Sequence, residues 1–184
     1  MNADLTTVLV AILGVAGTLT SPLLVQWIAA RAKRQEFELQ HQERFEERAE
    51  AQRRRVFEER RSMYAGLNTA ARQYTQELRA YLRMIAANAV NDEGRADLSK
   101  ARQTYRDLYS DAQMILPDHV LDAAASVSEG LGQAYGMVKR LETGEPSAET
   151  IDIAQEYCRV TLYDLIIEVR QLMREDLGVS DPRP

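Results

Sequence analysis

Hydrophobic and polar positions recur with a period near 3.6 residues along most of this chain, and nowhere with a period of two. Four stretches carry the pattern. The first runs through Tyr64, Leu67, Ala71, Tyr74, Leu78, Tyr81 and Ile85 in alternating steps of three and four, and ends before the turn-like cluster Asn91-Asp92-Glu93-Gly94. The second runs through Leu98, Ala101, Tyr105, Leu108, Ala112 and Ile115, and Pro117 forbids its continuation. The third runs through Val120, Ala124, Val127, Leu131, Ala134, Val138 and Leu141, and stops at Gly144 and Pro146. The fourth runs through Ile151, Ala154, Cys158, Thr161, Leu165, Val169 and Leu172 and ends near Gly178, with Ser147 as a candidate N-cap. The fold class this predicts is all-α. Short connections make consecutive helices antiparallel neighbours, hence a four-helix bundle over residues 62–178 with a disordered tail at 179–184. Gly130, Gly132 and Gly136 fall inside the third helix, where each costs about 1 kcal/mol relative to Ala unless it admits a neighbour.

Two different patterns precede the bundle. Leu5–Ala30 is a run of 26 residues without a charged side chain, followed at once by Arg31, Lys33 and Arg34. At 1.5 Å per residue this run is long enough to cross a bilayer, so residues 1–30 are expected to be a transmembrane anchor. Trp27 suits the headgroup level, and the basic collar of Arg31, Lys33 and Arg34 suits the cytoplasmic side. The leading segment Met1–Asp4 has no basic residue, which argues against a cleavable signal peptide and for an outside N-terminus. Thr7, Ala11, Gly14, Thr18 and Ser21 share one face and form a small-residue seam on which two anchors could pack.

Residues 31–61 contain neither Gly nor Pro and are rich in Glu, Gln, Arg and Ala, which predicts a charged helical stalk. Glu50 precedes Arg54 by four residues, the favourable order for a surface ion pair; Arg54–Glu58 and Arg55–Glu59 repeat the spacing in the weaker direction. Phe45, Ala49, Gln52 and Val56 keep a thin coiled-coil rhythm, and a solvated helix is the favoured state.

Charge sharpens this division. The chain carries −5 overall; residues 31–61 carry ten basic and eight acidic side chains, whereas residues 62–184 carry thirteen basic and nineteen acidic ones. The body is therefore acidic and disfavours nucleic acid. The single cysteine, Cys158, rules out an internal disulfide and sits on an apolar stripe, as a buried side chain would.

No catalytic constellation stands out. Glu38 and His41 make one Glu-x-x-His step where a di-iron bundle needs two, and Arg53–Arg55 with Arg60 and Arg61 are interleaved with Glu50, Glu58 and Glu59. Asp118, His119 and Asp122 could meet on one turn, but acidic residues at a helix start are more simply explained by the macrodipole. No enzyme, cofactor or metal is expected. Tyr64, Tyr74, Tyr81, Tyr105, Tyr135, Tyr157 and Tyr163 are spread over all four helices, and fit rings at the bundle edge better than a polar-lined groove.

The anchor, the Arg/Glu stalk and the stretch Phe57-Glu58-Glu59-Arg60-Arg61-Ser62-Met63-Tyr64 resemble a large group of small actinomycete membrane proteins, most of them uncharacterised. In layout the chain is also similar to the KilB-type proteins of Streptomyces plasmid transfer. The resemblance implies a protein of the bacterial plasma membrane and no activity, and the basic collar implies a single-pass topology with a cytoplasmic body. The expected function is a non-enzymatic, self-associating scaffold with lipid and protein partners. The alternatives are a plasmid-transfer or toxin-like effector acting through the anchor, and a helical enzyme or metal carrier.

Overall fold

The computed structural model describes the backbone of residues 3–145 and 148–179, and the side chains of residues 44–145 and 148–179. It contains α1 (Ala3–Ala86), α2 (Asp92–Ala112), α3 (Asp118–Thr143), α4 (Ile151–Arg159) and α5 (Thr161–Asp176), and no strand among the described residues. The fold is all-α. The chain divides into two compact units, residues 1–54 and 55–184.

In the first unit the chain is helical from Ala3 onward. Side chains 44–54 are exposed apart from a half-buried Ala49, and Phe45 is 74% exposed. Glu50 and Arg54 meet at 3.8 Å. The side chains of Leu5–Ala30, including the seam residues Thr7, Ala11, Gly14, Thr18 and Ser21 and the flanking Trp27, Arg31, Lys33 and Arg34, lie outside the described residues. So do those of Glu38 and His41. Among the described residues, no helix is long and apolar enough to cross a membrane.

The second unit is an up-and-down arrangement of four helical layers, the last made of α4 and α5. The end of α1 lies beside the end of α3, where Tyr81 meets Glu142, while the Tyr64 end of α1 meets Asp176 at the end of α5. A Cβ on Gly94 would lie 2.6 Å from Met84 Sδ, and one on Gly66 3.7 Å from Leu108, so α2 runs back along α1. Most stripe positions read from the sequence lie in the core: Leu78, Val120 and Val138 are fully buried, as are Leu82 and Leu162, which lie off those stripes, each contributing about 1.5–3 kcal/mol.

The helix boundaries have identifiable causes. Of the turn-like cluster, Asn91 is the N-cap of α2 and Asp92, Glu93 and Gly94 are already in the helix: the Asn91 side chain accepts a hydrogen bond from the Gly94 N–H at 2.8 Å, and Asp92 and Glu93 fill the first turn, where the dipole favours them. Pro117 starts α3. Gly144 ends it with φ of 69°, a left-handed C-cap that suits glycine. Thr150 caps α4, accepting from the Ile153 N–H at 3.2 Å; Ser147 lies outside the described residues, as do residues 180–184.

Two stretches depart from the expected stripes. α2 ends at Ala112, and the turn after it buries Leu116 and leaves Ile115 38% exposed. The fourth helix is not continuous. At Val160 (φ −106°, ψ −68°) α4 gives way to α5, and the core positions become Ala154, Cys158, Leu162, Ile166, Val169 and Met173. Successive steps of four overshoot a full turn by about 40° each, so three of them would carry Ile166 about 120° off the core side in a straight helix. The break at Val160 takes up that rotation. Thr161 is exposed, and Leu165 and Leu172 are half-buried flanks.

Candidate functional site

One polar face of α1 presents Arg72, Gln76, Arg79 and Arg83 at spacings of four, three and four, which places them along a single ridge. All four side chains are exposed. The antiparallel α4–α5 layer lies across from them. Arg79 and Arg83 share a hollow of about 310 Å³ with Asp152, Glu156 and Arg159. Arg72 and Arg79 share a second, of about 270 Å³, with Arg159, Tyr163, Ile167 and Arg170. Arg79 and Arg159 line both, so the two hollows form one cleft. Its lining includes Thr75, Cys158 and Ile166, all buried. The Thr75 hydroxyl is occupied locally, donating to the Ala71 carbonyl at 2.8 Å.

Five arginines therefore converge on one cleft of a body that is acidic overall. Arg159 is neutralised by Glu156, with Nε–Oε2 at 2.9 Å and Nη2–Oε1 at 2.7 Å. Among the described residues, Arg72, Arg79, Arg83 and Arg170 have no carboxylate oxygen within 4.0 Å. Elsewhere on the bundle Arg60, Arg61, Lys139 and Arg140 each meet one and Arg95 meets two, whereas Arg55, Lys100, Arg102, Arg106 and Arg174 are, like the cleft arginines, without one within that distance among the described residues. Guanidinium groups bind carboxylate and phosphate bidentately and cannot lose their charge, so this cleft concentrates fixed positive charge beside the carboxylates of Asp152 and Glu156.

No family model, no curated protein and no solved structure matches the chain.

The other residues singled out from the sequence have local explanations. Asp118, His119 and Asp122 are exposed at the start of α3, and no group of three metal-ligating side chains occurs among the described residues. Cys158 is 2% exposed, and burial pushes its thiol up to about 11 against a smaller lowering by Arg79, so it is a poor nucleophile at neutral pH. Arg60 is part of a clasp rather than a free basic patch: its Nη1 lies 3.1 Å from Asp176 Oδ2, which also accepts from the Tyr64 hydroxyl at 2.8 Å.

The tyrosines are core residues more than edge residues. Tyr64, Tyr74, Tyr81 and Tyr105 are each at most 3% exposed. Tyr81 donates to Glu142 Oε1 at 2.6 Å, and the same carboxylate takes Arg95 Nε at 2.9 Å and Lys139 Nζ at 2.7 Å. Tyr157 donates to Gln133 at 2.9 Å. Of the seven named from the sequence, Tyr163 belongs to the cleft lining, and it is 60% exposed. The arginines of the cleft were not legible as a site. Arg72, Arg79 and Arg83 look in sequence like one solvated helix face, and nothing in the sequence pairs them with Arg159 and Arg170.

Proposed function

We propose that this chain is a membrane-tethered, non-enzymatic interaction protein whose helical body receives a partner in the arginine cleft. In this reading residues 5–30 are a single span of the bacterial plasma membrane, with the N-terminus outside and the body in the cytoplasm. The seam Thr7, Ala11, Gly14, Thr18 and Ser21 pairs two anchors, and Trp27 with Arg31, Lys33 and Arg34 sets orientation. One observation carries the partner half of the reading: four arginines without carboxylate partners gather in one cleft of a body with an acidic excess.

The test is in-membrane capture with the full chain. A photo-crosslinking amino acid replaces Tyr163, which is exposed at the cleft, and membranes are fractionated after irradiation. The expected result is full-length protein in the membrane pellet, a body protected from external protease, and a discrete adduct that Arg79→Glu abolishes. Full-length protein that stays in the high-speed supernatant without detergent would end the tethered reading. An adduct indifferent to Arg79→Glu would end the assignment of the cleft.

A further inference from the structure

We propose that the occupant of the cleft is a short acidic amphipathic helix of a partner protein, an inference that rests on reading the cleft as a partner surface. Four properties of the cleft select it. The first is length. Arg72 and Arg83 are eleven residues apart on α1, so the cationic ridge is about 16 Å long, three helical turns. An acidic helix with carboxylates at i, i+4, i+7 and i+11 repeats the spacing of that ridge, meeting guanidinium groups at three positions and the Gln76 amide at the fourth.

The second is the distribution of charge. Arg72, Arg79 and Arg83 are strung along α1, with Arg170 across from Arg72 and Arg79. A single phosphate or carboxylate can engage only a part of such a ridge. A row of carboxylates on one rigid element can engage all of it, each through a fork that guanidinium geometry favours.

The third is the surrounding field. Asp152 and Glu156 line the same cleft, and residues 62–184 carry six more acidic than basic side chains. A nucleic acid bears a phosphate charge at every nucleotide and would run past the ridge onto that acidic surface. A short helix ends where the arginines end, so its charge is matched and not overextended.

The fourth is the apolar half of the lining. Tyr163 is 60% exposed, Ile167 is half-buried and Ile166 lies beneath them, a step along from the guanidinium groups. Helix-in-groove recognition uses such a patch to seat one or two apolar anchors while charge at the rim fixes orientation. The carboxylate of Asp152 lies at the Arg83 end, and Arg170 at the Arg72 end. The partner helix therefore concentrates its acidic residues toward Arg72, Arg79 and Arg170.

The experiment uses the full chain in detergent micelles and a fluorescein-labelled peptide of about sixteen residues, with Glu at i, i+4, i+7 and i+11 and Leu on the adjoining face. The expected result is saturable binding by anisotropy that weakens steeply with added salt. Arg72→Glu and Arg79→Glu should each reduce affinity at least about tenfold, the cost of losing one charge-assisted contact. Arg170→Gln should reduce it less, and all three variants should keep the wild-type circular dichroism spectrum, because their side chains are exposed. A scrambled peptide of the same composition should bind more weakly. The proposal is overturned by any of four results: no binding, equal binding by wild type and variants, tighter binding of a single-stranded RNA of the same length, or displacement of the peptide by equimolar inorganic phosphate. If the peptide fails while the Tyr163 adduct in membranes persists, the acidic helix is lost and the tethered interaction protein remains.

Discussion

Glu142 shows how a single residue ties this bundle together. It receives Tyr81 from α1, Arg95 from α2 and Lys139 from its own helix, so three helices meet on one carboxylate at 14% side-chain exposure. Burial pushes its pKa up, but the hydrogen bonds from Lys139, Tyr81 and Arg95 outweigh that and hold it at about 2, against an ordinary value of 4.5. A depressed folded-state pKa stabilises the fold above the unfolded value and loses that contribution as pH falls. The linked stabilisation, up to about 3 kcal/mol, is thus present at neutral pH and disappears between about pH 4.5 and pH 2. Glu142→Gln should lower the melting temperature at pH 7, and the gap from wild type should close as the melts are repeated toward pH 2. A gap independent of pH would show that shape rather than charge holds this corner. Cys158 gives a second expectation at this scale. With its thiol buried and pushed up to about 11, it should resist maleimide labelling in the native protein and react fully in denaturant. Native labelling at the rate of an exposed thiol would contradict the packing around it.

At the scale of the helix, the period of the sequence was enough for the first and third layers, failed at the end of the second, where Leu116 is buried in place of Ile115, and misled in the fourth. Stripes at Tyr64–Tyr81 and Val120–Val138 are buried as their spacing implies, because a regular helix keeps steps of three and four on one face. After Cys158 the same rule selects Thr161 and Leu165, whereas the fold buries Leu162 and Ile166. The reason is the local break at Val160, which resets the phase and which no Gly or Pro announces. Leu162→Ala should therefore cost about 2–5 kcal/mol and Thr161→Ala less than about 0.5 kcal/mol by denaturant unfolding. Equal costs would restore the unbroken helix. The glycines of α3 separate in the same way. A Cβ on Gly130 would sit 2.9 Å from Leu162 and 3.0 Å from Leu165, whereas one on Gly132 meets nothing within 4 Å. Gly132→Ala should gain about 0.5–1 kcal/mol from helix propensity, and Gly130→Val should lose about 1–3 kcal/mol through overpacking. Loss of stability at both sites would mean that backbone mobility, not close approach, keeps these glycines.

Across the whole molecule, charge and burial follow separate logics. Every buried side chain of the described core lies between Tyr64 and Met173, inside the unit of residues 55–184. That unit holds its own apolar core and should unfold in one cooperative transition when produced alone. The exposed guanidinium groups of its cleft add nothing to this core, although Cys158 and Ile166 belong to both. Arg79 and Arg83 are like charges one turn apart, an arrangement that costs a few tenths of a kcal/mol and that four unpaired guanidinium groups aggravate. This is also why the cleft stays hidden in the sequence. Positions 72, 79 and 83 read as an ordinary solvated face until the antiparallel pairing sets Arg159 and Arg170 opposite. The expected consequence is a trade between stability and binding. In the fragment 55–184, Arg79→Glu should leave the melting temperature unchanged or raise it slightly, by relieving repulsion from Arg83. In the full chain it should abolish the Tyr163 adduct. Added salt should narrow the stability difference between wild type and variant, because screening weakens the repulsion that the substitution removes. A destabilised Arg79→Glu fragment would mean that these arginines support the fold itself.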